Sequence, residues 1–162
     1  MSFTIRDMEN LSGVKAHTIR LWEQRYAVSK PKRTTTNIRY YTNEELKTFL
    51  NIALLNKYGV KISRIYKMTD DVMGENILSL TNVEAKQDSI INELIKEMID
   101  VNIEGFESIL DNFISSAGIE KAILNCVFPF LEKIGFLWLT SNINPAQEHL
   151  ATNMIRQKII IV

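Results

Sequence analysis

Cysteine is nearly absent from this chain. A single thiol, Cys126, cannot close an intrachain disulfide, and with no secretory leader at the start a reducing cytoplasm is the expected setting. Histidine is almost as scarce: His17, His149 and the lone cysteine are too few for a zinc site of the usual kind. There is no glycine-rich phosphate loop and no Ser/His/Asp or Cys/His set, which argues against a conventional enzyme. No uninterrupted apolar run approaches the length of a bilayer crossing, so no membrane partner is expected. Net charge is absent too, the formal value being zero.

What is present is unevenly placed. Residues 1–69 carry 13 Lys/Arg against 5 Asp/Glu, a balance of +8, whereas the other 93 residues carry 6 against 14, a balance of −8. A polyanion such as DNA is drawn to the front half and repelled by the back half. Hydrophobic residues make up 46% of the chain, enough for a packed core, and a mean hydropathy of −0.05 argues against disorder. The charge break favours two small domains: residues 1–70, a linker over 71–87, and 88–162.

In the basic half, Thr4 and Asp7 form a capping pair at the start of a short helix with Ile5, Met8 and Leu11 on one side. Ser12-Gly13-Val14 turns the chain into a second helix, from about Lys15 to Tyr26. At helical spacing Ile19, Trp22 and Tyr26 share one face, while His17, Arg20 and Gln24 share the opposite one. Two short helices with polar groups along the second make a helix-turn-helix, whose second helix enters the major groove. Residues 30–41 are basic and rich in β-branched and aromatic side chains, with Asn37 at the turn of an expected two-stranded wing. Thr42 and Glu45 cap a further helix with a stripe from Leu46 to Leu54, and a short helix follows from Ile62 to Met68.

The run Thr18-Ile19-Arg20-Leu21-Trp22-Glu23-Gln24-Arg25-Tyr26, followed by Pro31-Lys32-Arg33 and Arg39-Tyr40-Tyr41, resembles the winged helix-turn-helix of MerR-type transcription regulators. The Trp-Glu-x-Arg-Tyr form is similar to the branch containing light-responsive repressors of carotenoid genes. The likeness covers residues 4 to about 68, with Asn37 standing where the family usually turns its wing on glycine. It implies double-stranded promoter DNA as partner and a homo-oligomer as the working form. Arg20 is the best candidate for a bidentate groove contact, flanked by Lys15, His17, Thr18 and Gln24. Arg25, Arg33, Arg39 and Tyr40 are expected to grip phosphates.

The acidic half repeats the helical period. Ile90 to Ile99 makes one stripe, Ile103 to Ile114 a second that ends near Gly118, and Ala122 to Ile134 a third with Pro129 as an expected bend. Asn144-Pro145-Ala146-Gln147 starts a fourth, with Asn as cap and Gln closing the box. The fold class expected is thus mostly α: a winged helix-turn-helix followed by a four-helix bundle. Trp138, then nine residues, then Glu148-His149 resembles the four-helix cap over the upper face of adenosylcobalamin in the same repressors, over about residues 88–158. The likeness implies Trp138 against the adenosyl group, Glu148 hydrogen-bonded to it and His149 near the cobalt. Each has a plainer reading, Trp138 as core, Glu148 as a first-turn acid and His149 as surface. The family's following Rossmann-like domain, with its Asp-x-His-x-x-Gly cobalt ligand, has no counterpart before Val162. The expectation is therefore a piece of a longer protein that alone holds cobalamin weakly or not at all. The alternative function is a MerR-type regulator whose bundle is a protein-interaction module without cofactor.

The cationic half generates one measurable expectation. If about six phosphates are neutralised per head, the affinity for duplex DNA should fall with a log–log salt slope of about −5. A slope near zero in a mobility-shift salt series would remove the electrostatic premise.

Overall fold

The computed structural model describes residues 2–140 and 142–160. Met1, Ser141, Ile161 and Val162 lie outside the described residues. The chain divides into two compact units, Met1–Lys86 and Gln87–Val162.

In the first unit, α1 (Ile5–Ser12) starts at the expected capping box: Asp7 N–H donates to Thr4 Oγ1 at 3.1 Å and Thr4 N–H donates to Asp7 Oδ2 at 2.8 Å. Gly13 ends it at φ 76°, a left-handed backbone that a side chain resists, and α2 (Ala16–Tyr26) follows. The wing is a two-stranded antiparallel hairpin, β1 (Lys32–Arg33) and β2 (Arg39–Tyr40), with Lys32 opposite Tyr40 and Arg33 opposite Arg39. Asn37 takes φ 65° at its tip, the conformation that glycine supplies elsewhere and that asparagine tolerates. An antiparallel bridge ties Phe3 to Tyr41 by two backbone bonds of 2.8 Å, fastening the N-terminus to the end of the wing. Next come α3 (Asn43–Lys57), whose Thr42–Glu45 box forms as expected, and α4 (Ile62–Ile65), one turn shorter than the sequence suggested.

The core of this unit is built from Phe3, Met8, Leu11, Ile19, Tyr41, Leu46, Phe49 and Leu50, all without solvent exposure. Each such side chain contributes about 1.5–3 kcal/mol relative to an exposed one. A second cluster of Ile52, Leu55, Ile65 and Met73 is flanked by half-buried Trp22, Met68 and Ile77. Met73 and Ile77 belong to α5 (Asp70–Leu78), which lies within the segment expected as linker. That segment is helical for a local reason. Thr69 Oγ1 accepts from Val72 N–H at 3.3 Å, Asp70 and Asp71 sit in the first turn where the helix dipole favours anions, and Met73 and Ile77 are one turn apart on the face against α3. Gly74 stands inside this helix and does not interrupt it. Only residues 79–82 separate α5 from α6 (Val83–Ile99), and Asn82 caps the latter through Glu84 N–H at 2.8 Å.

The second unit packs α6 beyond Lys86 with α7 (Ile103–Ala117), the stretch Ile119–Leu139 and α10 (Pro145–Ile160). That stretch comprises α8 (Ile119–Ala122), a π-helical turn (Ile123–Val127) and α9 (Phe128–Leu139). Pro129 explains the π turn: it has no N–H for the usual bond, and its ring crowds the carbonyl four residues earlier. The chain widens by one residue just before it, so Phe128 N–H donates to Ile123 C=O. Phe106 and Phe130 meet edge to face at 5.5 Å, and Lys158 of α10 reaches Glu107 at 2.8 Å and Asp111 at 2.8 Å on α7.

One expectation needs correcting. Taken whole, Ile119–Leu139 is long and apolar enough to cross a membrane by length and composition, with a mean hydropathy of 1.5 over its best window. It is not an unbroken apolar run, since Glu120, Lys121, Asn125, Glu132 and Lys133 interrupt it. Its inner face, with Phe130, Ile134 and Leu137, is wholly buried inside the second unit, as a bundle helix requires.

Cys126 reports on that interior. It is buried, and burial alone pushes its thiol up to about 11. The thiolate fraction at pH 8 is then roughly one in a thousand. Native protein at pH 8 should react with a thiol reagent far more slowly than protein in guanidinium, and the rate should rise as pH approaches 11. Equal rates in the two solvents would show that this helix is not packed as described.

Candidate functional site

On α2 the two faces separate as the helical period demands. Ile19 is fully buried, Trp22 is half-buried against Phe49 with ring centres 6.1 Å apart, and His17, Arg20 and Gln24 are all exposed. Thr18 is half-buried beside this row and Arg25 is exposed. Lys15 precedes the helix and pairs with Glu9 at 3.2 Å. Glu9 also accepts from Ala16 N–H at 3.1 Å, and that backbone bond, followed by Lys15, holds its carboxyl below the usual range. The turn between α1 and α2 is thus pinned by an acid that anchors the start of α2.

The wing places its cations unequally. Arg33 is exposed, and its Nη1 donates to Asn37 C=O at 3.2 Å and to Asn37 Oδ1 at 3.1 Å, which orders the tip. Tyr40 is half-buried. Arg39 faces inward, its Nη1 3.4 Å from Glu23 Oε2, so it is engaged by α2 and is not a free surface cation like Arg33. The sequence treated the two alike because charge and spacing carry no tertiary partner. Three further cations, Lys61, Arg64 and Lys67, are exposed on or beside α4, and Tyr66 stacks 5.1 Å from Tyr26 at the end of α2. They counted toward the +8 but received no role. The Tyr26–Tyr66 contact and the packing of Trp22 on the cluster that holds Ile65 place α4 beside the Trp22/Tyr26 side of α2.

In the second unit the outer side of α9 is unusual. Opposite the buried Phe130, Ile134 and Leu137 it exposes Phe128 (56%), Trp138 (39%) and Leu139 (84%), with Gly135 between them and open space where its side chain would stand. Trp138 and Leu131 of α9 and Thr152, Ile155, Arg156 and Ile159 of α10 line an open, mainly apolar cleft of about 420 Å³. Glu148 and His149 are both exposed on the first turn of α10, Glu148 one turn before Thr152. This arrangement suits the covering of one face of a large flat ligand. It does not enclose one. Among the described residues no three His, Cys, Asp or Glu side chains gather to hold a metal ion.

Gln147 sets the phase of that turn. It is buried, its N–H donates to Asn144 Oδ1 at 3.0 Å, its Oε1 accepts from Asn144 N–H at 3.1 Å, and its Nε2 donates to Ile99 C=O at 3.0 Å. The start of α10 is therefore clamped to the end of α6, and the next two side chains, Glu148 and His149, are turned outward.

Comparison with known proteins follows the same division. Residues 3–72 match the family model described as MerR HTH family regulatory protein, and residues 90–162 match that described as B12 binding domain. Two repressors of Myxococcus xanthus are similar along the chain. The HTH-type transcriptional repressor CarH is 27% identical over 165 residues, covering 98% of this chain and 55% of CarH. The HTH-type transcriptional repressor CarA is 24% identical over 166 residues, covering 98% of this chain and 52% of CarA. The chain thus spans about half the length of these curated relatives.

Gln147→Ala should destabilise the second unit by about 1–3 kcal/mol, since it strands the Ile99 carbonyl and opens the cap. Gln147→Glu keeps the cap acceptor but aims a carboxylate at a helix C-terminus, and should also destabilise. Guanidinium unfolding followed by Trp138 fluorescence in a Trp22→Phe background measures both, and unchanged midpoints would deny the clamp.

Proposed function

We propose that this chain, a MerR-type helix-turn-helix regulator carrying a B12-binding domain, represses transcription by holding promoter DNA with its first unit. The second unit serves as the covering half of an adenosylcobalamin-dependent light sensor. The observation that carries this reading is the pairing, in one chain, of a free His17/Arg20/Gln24 row beside a cationic wing with an outward apolar helix face centred on Trp138. The chemistry on both sides is binding, not catalysis, and a cytoplasmic setting goes with it.

In this reading α2 lies in the major groove. Arg20 donates a two-pronged pair of hydrogen bonds to a base edge or phosphate, with His17 and Gln24 as its neighbours on the row. Lys15, Thr18, Arg25, Arg33 and Tyr40 fix the register through phosphates, and Arg39 does so less directly because Glu23 holds it. Trp138 of the cleft and the exposed Glu148 and His149, which lie outside its lining, suit one face of the cofactor. Trp138 offers a flat apolar wall, Glu148 a carboxylate acceptor, and His149 an imidazole of the kind that suits cobalt. Bound adenosylcobalamin supplies a light-sensitive cobalt–carbon bond. The repressing form is a homo-oligomer, whose assembly follows the state of that cofactor.

A second reading rests on the same face. Exposed Phe128 and Leu139 would equally suit contact with another protein and no cofactor at all. Visible absorbance separates the two. Mixed in the dark with adenosylcobalamin and passed through a desalting column, a chain extended to its relatives' length should retain corrinoid colour, and Trp138→Ala should cut the retained fraction at least fivefold. No colour, or colour indifferent to Trp138→Ala, would favour the interaction module. Arg20→Ala, with the colour unchanged, should weaken the promoter shift by 10-fold or more.

A further inference from the structure

Glu23 belongs to neither face of α2. Around the helix it lies about 60° from Arg20, at the seam between the exposed row and the core. Its side chain is only 7% exposed, in a unit whose field is strongly positive. Three groups from outside the helix converge on it. Tyr41 Oη donates to Oε1 at 2.6 Å, Ser29 Oγ donates to the same oxygen at 2.9 Å, and Arg39 Nη1 lies 3.4 Å from Oε2. Ser29 comes from the connection after α2, and Arg39 and Tyr41 come from the outgoing arm of the wing.

The spacing explains why this arm delivers two partners. Residues two apart in an extended strand share a face, so Arg39 and Tyr41 both turn toward α2 while Tyr40 turns away. Register adds a second reason. Arg33 and Arg39 stand directly opposite one another, a like-charge pair that opposes hairpin formation unless a counter-charge is present. Glu23 supplies it for Arg39, and the Asn37 oxygens take up Arg33. Burial first, and the facing carboxylate second, raise the Tyr41 phenol above its ordinary value, so it stays a neutral donor throughout the physiological range.

We infer that Glu23 is a positioning residue for DNA recognition: it locks the wing to the groove-facing helix, so that Arg33 and Tyr40 reach phosphates in register with His17, Arg20 and Gln24. It touches no DNA itself. Sequence-specific binding needs this fixed offset, whereas non-sequence-specific binding needs only the charge. Losing the lock therefore erodes discrimination while leaving bare attraction in place. This inference rests on the proposed DNA-binding reading.

The test uses the full chain, a duplex that the wild type selects from a random-sequence pool, and a shuffled duplex of equal length and composition. Glu23→Gln keeps the shape and one acceptor but turns a donor toward Arg39. The ratio of selected to shuffled affinity should fall about 10-fold, with shuffled binding within twofold of wild type or stronger. Tyr41→Phe, which keeps the buried ring and removes only the donor, should lower the same ratio at least threefold. A ratio within threefold of wild type in folded Glu23→Gln overturns the inference. If that variant does not fold by circular dichroism, the threefold limit applies to Tyr41→Phe. Parallel loss on both duplexes also overturns it, as the mark of general damage. Should the wild type select no duplex at all, the DNA reading fails at its own step.

Discussion

In the proposed reading α2 has to be held from behind without losing its front, and the carboxylate of Glu23 is where it meets that constraint. Ile19 and Trp22 anchor the rear in the core, but apolar contact is non-directional and leaves the helix free to be approached by the wing at many angles. Hydrogen bonds of 2.6 and 2.9 Å are directional, and they end, with an ion pair at 3.4 Å, on one side chain. The bridge from Tyr41 to Phe3 carries the same tie to the N-terminus. Removing the acid would leave an inward-facing Arg39 opposite Arg33, so the hairpin itself depends on it.

The second unit meets the converse constraint. Its α9 is apolar on both sides, and only one side finds a partner within the unit. The π turn before Pro129 sets the angular phase of α9 as a whole relative to α8, and the α-helical period then puts Phe128 and Leu139 on the side away from the buried Phe130, Ile134 and Leu137. Gln147 does the same for Glu148 and His149 on α10 by tying Asn144 and Ile99 together. One device is a change of backbone winding and the other a buried side-chain clamp. They present side chains without touching whatever those side chains meet.

Local signals were readable where one residue determines its own surroundings. The capping pairs Thr4–Asp7, Thr42–Glu45 and Asn144–Gln147 formed as the spacing implied, and Asn37 turned the wing in a left-handed conformation. The division of α2 into Ile19 and Trp22 against His17, Arg20 and Gln24 follows from the 3.6-residue period alone. Residues 71–87 misled because their turn-forming composition, with Gly74 and several Asn and Ser, outweighed the single pair Met73 and Ile77. That pair is buried because Leu55 and Ile65 are there to receive it, and composition does not record a receiver.

By itself the amino-acid order determined most of the helices and their caps, though not α5, together with the wing and the opposite charge of the two halves, since each depends on neighbours within a few residues or on simple summation. It also carried the likeness that joins Trp138 to Glu148-His149. Tertiary structure alone decided that Arg33 stays exposed at the wing tip while Arg39 is held by α2, that Lys61, Arg64 and Lys67 sit on or beside a helix packed against α2, and that Glu23 is a junction and not a surface acid. These outcomes turn on which residues distant in the chain come within hydrogen-bond reach, and burial then makes such an encounter far stronger than the same charges would be in water.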